Sequence, residues 1–432
     1  MTMTVDSTSG RARWLAVASL AMGTFAIVTS EMLPVGLLTS ISGELGVSDG
    51  TAGLMMSAPG LVAAVSAPVL AIIARRLDRR LTLVGLMALL AVANLGCALA
   101  PDHLVMLAAR VLTGVSIGGF WAFAAGLGPR LVPDRSVGRA TSTILSGVSV
   151  ASVLGVPAAA FVSSFAGWRV AFAALGLVAF VLVALLAATL PPLPGHPRPQ
   201  ASPHREAPGP AAPSPGPSPD MSGSARPEAS GPVLDVLRSG SAEREDPGSR
   251  RGKISRPLRI VLVLTVLIIS GHFAAYTYVR PFLEQEAGAG SGLVGTALLL
   301  YGAAGVLGNF AAGARAARRP RAVLITLAVL MAVATAALPL IGQPLAALMV
   351  WGLGYGGVGV TLQLWIMRSG GGELGTALFV AAFNVSIALG SFAGGRVADG
   401  VSVAATMWLA AALTAVSVAV AGIGGRSTRN GS

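Results

Sequence analysis

Apolar residues run along this chain in blocks of about twenty, the length that crosses a hydrocarbon core as a helix. Short polar or arginine-rich stretches separate them. Twelve blocks can be counted, the first six at roughly 14–37, 53–74, 81–100, 104–127, 140–163 and 170–190. The second six lie at roughly 258–280, 293–314, 321–341, 345–366, 374–395 and 403–423. Pro101-Asp102 and Gly342-Gln343-Pro344 are sharp breaks; other ends follow from length alone. In lipid the backbone must satisfy its own polar groups, so each block predicts a helix. The short alternating segments of a β-barrel do not occur. The first block begins at Trp14 after Arg11 and Arg13 and runs past Pro34, too long for a signal-peptide core, and predicts a retained span.

Composition sharpens this picture. Hydrophobic residues make up 54% of the chain and charged residues 11%, too few charges to cover a water-soluble surface of this size. The net charge of +12 comes from arginine clusters between apolar blocks, the placement of loops facing the cytoplasm and anionic lipid. No basic folded module remains once the spans are removed, which argues against nucleic-acid binding. With a cytoplasmic N-terminus the inner loops hold Arg75, Arg76, Arg79, Arg80, Arg130, Arg135, Arg139, Arg315, Arg318, Arg319, Arg321 and Arg368. The outer connections hold only Arg169, Arg280 and Arg396. The bias predicts a multi-pass protein of the cytoplasmic membrane with both termini inside.

Residues 191–256 break the pattern. Fifteen of the chain's 27 prolines fall there, among Ser, Gly, Ala and charges of both signs. That density of proline leaves no helical period and predicts a disordered cytoplasmic linker. Within it, Val233-Leu234-Asp235-Val236-Leu237-Arg238 reads either as one amphipathic turn or as plain linker. The expected organisation is a tail at 1–13, a six-helix bundle at 14–190, the linker, a second bundle at 257–423 and a tail at 424–432. Residues 80–93 (RLTLVGLMALLAVA) and 321–334 (RAVLITLAVLMAVA) match in pattern at an offset of 241, each after an arginine-rich turn. The bundles therefore read as repeats about an axis along the membrane normal.

The candidate chemistry is sparse. Cys97 is the only cysteine, so no internal disulfide forms and no metal cluster is suggested. Lys253 is the only lysine and no phosphate-binding loop occurs, which argues against ATP hydrolysis and leaves an ion or substrate gradient as the energy source. No cofactor is implied, and no nucleophile and base converge at one depth as an embedded enzyme requires. Glu31 is the one acidic residue well inside a span. A carboxyl in a span costs several kcal/mol unless neutral, paired or facing water, so it reads as a proton site or as a helix-packing acid bonded to a neighbour. Pro34 removes a backbone donor one turn on.

Several segments resemble the major facilitator superfamily, in its twelve-span drug:proton antiporter group. Arg110 four residues before Gly114, in LAARVLTG, looks like the fourth-span motif. Gly155-Val156-Pro157 followed by Gly167-Trp168-Arg169 and Phe172 looks like the fifth-span antiporter motif and the turn after it. Asn384 with Gly390, Gly394 and Gly395 resembles the eleventh span, and Glu31-Met32-Leu33-Pro34 with Gly36-Leu37-Leu38 the first-span acidic motif. The loop after span two departs from the family's pattern. Ala71, Arg75, Arg76, Asp78, Arg79 and Arg80 stand there, without two glycines and the usual aspartate, and Asp78 is the displaced candidate for that role. Leu33-Pro34-Val35, Leu37-Leu38-Thr39, GGFWA at 118–122, Tyr276-Thr277-Tyr278-Val279-Arg280-Pro281 and Trp351-Gly352-Leu353 are most similar to purine ribonucleoside efflux permeases, with sugar and drug exporters sharing several.

The resemblance implies an all-α integral membrane fold, twelve helices in two pseudo-symmetric six-helix bundles. It implies a secondary transporter, functional as a monomer, that exports a drug, nucleoside or sugar against protons by alternating access. An uncoupled facilitator, an importer and a non-transporting membrane sensor are the alternatives. In the resembling fold spans one and four line a central cavity. Glu31 then lies about 9 Å inside the outer end of its span and Arg110 about 10 Å inside its own. The two either pair in one state, favouring the ionised carboxylate, or Arg110 snorkels or bonds backbone carbonyls. Candidate substrate contacts are Phe120, Trp121 and Phe123 in span four, His272, Tyr276 and Tyr278 in span seven, and Tyr355, Gln363 and Trp365 in span ten. For each aromatic, ordinary packing is the competing role. Gly147, Gly155, Pro157, Gly390, Gly394 and Gly395 are expected to make the close contacts between the halves.

Overall fold

The computed structural model describes residues 5–73, 77–124, 127–193, 255–369 and 372–424. Most of the stretch read as linker, the two tail ends, Arg75 and Arg76 lie outside the described residues. Twelve described helices are long and apolar enough to cross a membrane. They are α1 Arg11–Leu45, α2 Asp49–Ile73, α3 Arg79–Leu99, α4 His103–Ala124, α5 Asp134–Ala166 and α6 Trp168–Thr189, then α7 Arg256–Gln285, α8 Ser291–Ala316, α9 Pro320–Ala337, α10 Pro344–Arg368, α11 Gly375–Gly400 and α12 Val403–Ile423. No strand occurs among the described residues.

Local chemistry sets the ends. The Ser48 hydroxyl accepts the Thr51 amide at the start of α2. Asp78 accepts the Arg80 amide at the start of α3, and Ser255 the Leu258 amide at the start of α7. Gly167, at φ +84°, lets α5 reverse directly into α6, a conformation that residues with a Cβ resist. α1 continues to Leu45, beyond the end near 37 expected from hydropathy, because the polar turn after Thr39 stays helical.

The packing repeats between halves. α1 packs on α5 and α6, α2 on α4, and α3 on α4 and α6. In the second half α7 packs on α11 and α12, α8 on α10, and α9 on α10 and α12. These are equivalent pairs, so the chain forms two pseudo-symmetric six-helix bundles. They meet along α2 with α11 and along α5 with α8, again equivalent pairs. Large apolar side chains cover the outside, among them Leu81, Leu99, Phe161 and Phe310, each about 70% exposed or more. A surface so continuously apolar belongs in lipid.

The loop arginines gather at one end of the bundles, here termed the basic end; the turns α1–α2, α7–α8 and α11–α12 lie at the far end. Cross-bundle hydrogen bonds are found at the far end. Asp399 accepts from the Ser48 hydroxyl at 2.7 Å and the Gly50 amide at 2.9 Å. Gln285 donates to Asp49 at 2.9 Å, and Arg280 donates to the Gly36 carbonyl.

Candidate transport site

Glu31 lies 14 residues before the end of α1, about 21 Å of helix, because α1 runs on past the end near 37 expected from hydropathy. Its side chain is buried and makes no hydrogen bond or ion pair among the described residues. The fully buried Arg110 guanidinium lies within electrostatic range of it but bonds elsewhere. Nε donates to the Met55 carbonyl at 2.9 Å, one terminal nitrogen to the Ser30 carbonyl at 2.7 Å and the other to the Glu31 carbonyl at 3.1 Å. The two residues do share a depth, and of the readings weighed from sequence this structure shows the backbone-bonded one. The Ser30 hydroxyl donates to Asn94 at 3.1 Å, so α1, α2, α3 and α4 converge on one polar level.

Across the bundle interface stands a cluster of aromatic rings from α7, α8 and α10. The His272 ring stacks on Tyr355 with centroids 3.4 Å apart and on Tyr276 at 4.9 Å. Tyr301 stacks on Tyr276 at 4.9 Å, and Trp351 meets His272 edge-on at 5.4 Å. The Tyr355 phenol is within electrostatic range of Glu31. Both His272 nitrogens, the Tyr301 hydroxyl and the Trp351 indole nitrogen are buried without a hydrogen-bond partner. Leaving such groups unpaired costs about 1–3 kcal/mol each. Tyr301 was not singled out from sequence, and Trp351 only within the Trp351-Gly352-Leu353 stretch, not as a substrate contact. Span eight supplied no candidate from sequence, so Tyr301 comes to the cluster only through the fold.

The remaining predicted residues are dispersed. Phe120 is fully buried and packs on α1 at Gly23, and Phe123 is also in the bundle core. Trp121 and Trp365 are half-buried beside the core and Gln363 is exposed. Tyr278 lies away from the His272 cluster: its hydroxyl donates to the Ser391 carbonyl at 2.8 Å, and its ring end fills the space left by Gly53 and Gly395 at the bundle interface. Asp78 caps α3 and also accepts the Leu193 amide at 3.0 Å, while Arg80 donates to the Ala187 carbonyl. Arg79 donates its amide to the Leu193 carbonyl. That basic turn is thus tied to the end of α6.

The expectation that the motif glycines join the halves is corrected for most of them. Gly147 and Gly155 press on α1, at Ala21–Phe25 and at Thr29, within the first bundle. Gly390 and Gly394 press on α7 at Ser270 and Ala274, within the second. Each motif lies on the face turned toward its own bundle; of this set Gly395 reaches across, to Gly50. The close approaches between halves use glycines that no motif marked: Gly50 and Gly60 on α2, and Gly302 on α8 against Ser152 and Val153. Those two residues belong to a π-helical turn, Ala151–Gly155, followed by the buried Pro157. Asn384 donates to the Val380 carbonyl within α11, and its own carbonyl faces Gly60.

Known proteins share this architecture. A bacterial homologue of the human lysosomal transporter Spinster, solved in an inward-facing and occupied conformation, superimposes with a TM-score of 0.69 at 14% identity, over 96% of this chain and 97% of that one. Its inward-facing and unoccupied form gives 0.65 at 15% identity, over 96% and 95%. The protein named transcription regulatory protein OpdE, from Pseudomonas aeruginosa, is 33% identical over 410 residues, 94% of this chain and 92% of its own length. The sequence profile of the Major Facilitator Superfamily matches residues 20–378. With the helix order, the repeated packing and that match in agreement, the chain is a multi-pass membrane transporter protein belonging to the major facilitator superfamily.

Proposed function

We propose that this chain exports a small, flat, hydrogen-bonding molecule across the cytoplasmic membrane in exchange for protons, with the basic end and both termini in the cytoplasm and the monomer as the working unit. The observation that carries the reading is the Glu31 carboxyl, held midway along α1 with no hydrogen bond or ion pair among the described residues. A group so placed is neutral when sealed from water and ionised when water reaches it, which couples protonation to access. The aromatic cluster around His272 supplies ring faces and unpaired donors for the ligand. The far-end contacts support a state closed on the outside.

The cycle follows from these parts. Substrate entering from the basic end displaces the Glu31 proton, and the loaded bundles rock about α2–α11 and α5–α8. A proton from outside then replaces the substrate and returns the bundles. The test begins with a tolerance screen of cells with and without the chain against nucleoside analogues, phenicols, other antibiotics and sugars. The selected compound is then followed in everted vesicles. Glu31→Gln is expected to abolish gradient-driven export; full export by that variant removes Glu31 from the cycle.

The name of the Pseudomonas relative favours a second reading, a membrane sensor acting on transcription without transport. Unchanged accumulation of every compound in cells lacking the chain, together with altered transcript levels, selects it.

A further inference from the structure

The three hydrogen-bond partners of the buried Arg110 guanidinium are all backbone carbonyls. Two of those carbonyls share a property. In an α-helix the carbonyl of residue i accepts from the amide of residue i+4. Four residues beyond Ser30 stands Pro34, and four beyond Met55 stands Pro59, both inside their helices. Proline has no amide hydrogen, so both carbonyls lose their helical donor. Arg110 supplies the missing donor to each. Its third bond, to Glu31, is the longest, and that carbonyl faces Val35, which keeps its amide.

Gly114, one turn further along α4, seats this arrangement. A Cβ at Gly114 would lie 2.7 Å from the Pro59 carbonyl oxygen and 2.8 Å from Val62 Cβ. Its absence lets α4 close on α2 beside Pro59, which brings Arg110 onto Met55 one turn away. The internal repeat provides an independent check. The offset of 241 carries Arg110 onto Trp351, which has no guanidinium, and carries Pro34 and Pro59 onto Ala275 and Leu300, which both have amides. The repeat with the arginine has both prolines; the repeat without it has neither.

We propose that Pro34, Pro59 and Gly114 form with Arg110 a positioning strap, which spends the guanidinium on backbone carbonyls and so withholds it from the Glu31 carboxyl. The strap ties α1, α2 and α4 at the level of the acid. It keeps a permanent cation close without letting it form an ion pair, which leaves the carboxyl to protons and substrate. The part of this inference that concerns the carboxyl rests on Glu31 being the proton site; the strap itself does not.

Two measurements on the purified full chain test it. The first is a double-mutant cycle in thermal unfolding. Arg110→Gln in the native background leaves two buried carbonyls without donors. In a Pro34→Ala/Pro59→Ala background those carbonyls have amides again, so the loss in unfolding midpoint caused by Arg110→Gln should fall to about half or less. An equal loss in both backgrounds overturns the strap. If the double proline variant does not fold, Pro59→Ala alone serves with the same criterion.

The second is an infrared titration of the protonated carboxyl stretch, with Glu31→Gln identifying the band. Restored amides free guanidinium donors, whose nearest anionic acceptor is Glu31. At the pH where half of the native band remains, the double proline variant should keep about a tenth, the tenfold change that one pH unit represents. An unchanged titration in a folded variant overturns the withholding of Arg110. A band that persists in Glu31→Gln instead removes Glu31 as the proton site and leaves the thermal cycle to decide the strap.

Discussion

The two bundles repeat each other's helix packing but not each other's chemistry, and the contrast is sharpest at two positions. The offset of 241 carries Glu31 onto His272 and Arg110 onto Trp351. In the first bundle this pair is an unbonded acid beside a cation whose three nitrogens each donate to a backbone carbonyl. In the second it is an imidazole and an indole, ring against ring, with three nitrogens buried and unpaired. One repeat concentrates charge and ties its cation to backbone carbonyls; the other concentrates polarisable surface and leaves ring nitrogens unpaired. A duplicated scaffold fixes where side chains face the midline, and the residue types there divide the labour. In the proposed cycle the first bundle would manage the proton and the second would read the ligand.

The largest effects should fall on opposite sides of that division. Glu31→Gln should remove coupling, lowering gradient-driven export at least about a hundredfold, while substrate binding survives; net export and equilibrium binding of the screened compound measure both. His272→Gln, at the equivalent position, should do the reverse, weakening binding while the dependence on the proton gradient persists. Equal loss of coupling in both variants would erase the division and make the two positions one shared proton path.

Tyr355→Ala and Trp351→Ala sharpen the same point with a smaller effect. Each removes a ring from the His272 cluster. The loss of about 1.4 kcal/mol of ligand contact corresponds to a tenfold rise in apparent KM, with the proton-to-substrate ratio unchanged. A fall in kcat at constant KM would instead assign these rings to the rocking motion.

The helical architecture was legible because lipid imposes a single rule on every span, and block length reports it directly. Glu31 was legible for the same reason, as an acid that the rule disfavours. The rest of the site was not, because in an apolar block a side chain's bearing depends on which helix it meets. Gly155 and Gly302 look alike in sequence, yet one packs inside a bundle against Thr29 and the other between bundles against Ser152. Tyr276 and Tyr278 stand two residues apart and diverge, because the helix of α7 is interrupted after Tyr276 before resuming at Val279. The partner of Arg110 was open from sequence, since the prolines that free its acceptors lie 51 and 76 residues away on other helices.

The bundle interface carries the same asymmetry in its mildest form. α2 with α11 and α5 with α8 are equivalent seams, but the second is packed through Gly302 against backbone, while the first adds a charged cap. Asp399 of α11 accepts from the Ser48 hydroxyl and the Gly50 amide at the N-terminus of α2, so one bundle caps a helix of the other. A carboxylate there gains both a hydrogen bond to an otherwise free amide and the favourable end of the helix dipole. Loss of such a cap costs about 1 kcal/mol, so Asp399→Ala should raise the ratio of far-end-open to far-end-closed molecules about fivefold. Spin labels at positions 47 and 401, on a Cys97→Ser background, report that ratio as the weights of long and short distances. Asp399→Asn keeps an acceptor without the charge and should fall between the native chain and Asp399→Ala. Unchanged weights in Asp399→Ala would mean that close packing at Gly50, Gly53 and Gly60 holds this seam by itself, as Gly302 does the other.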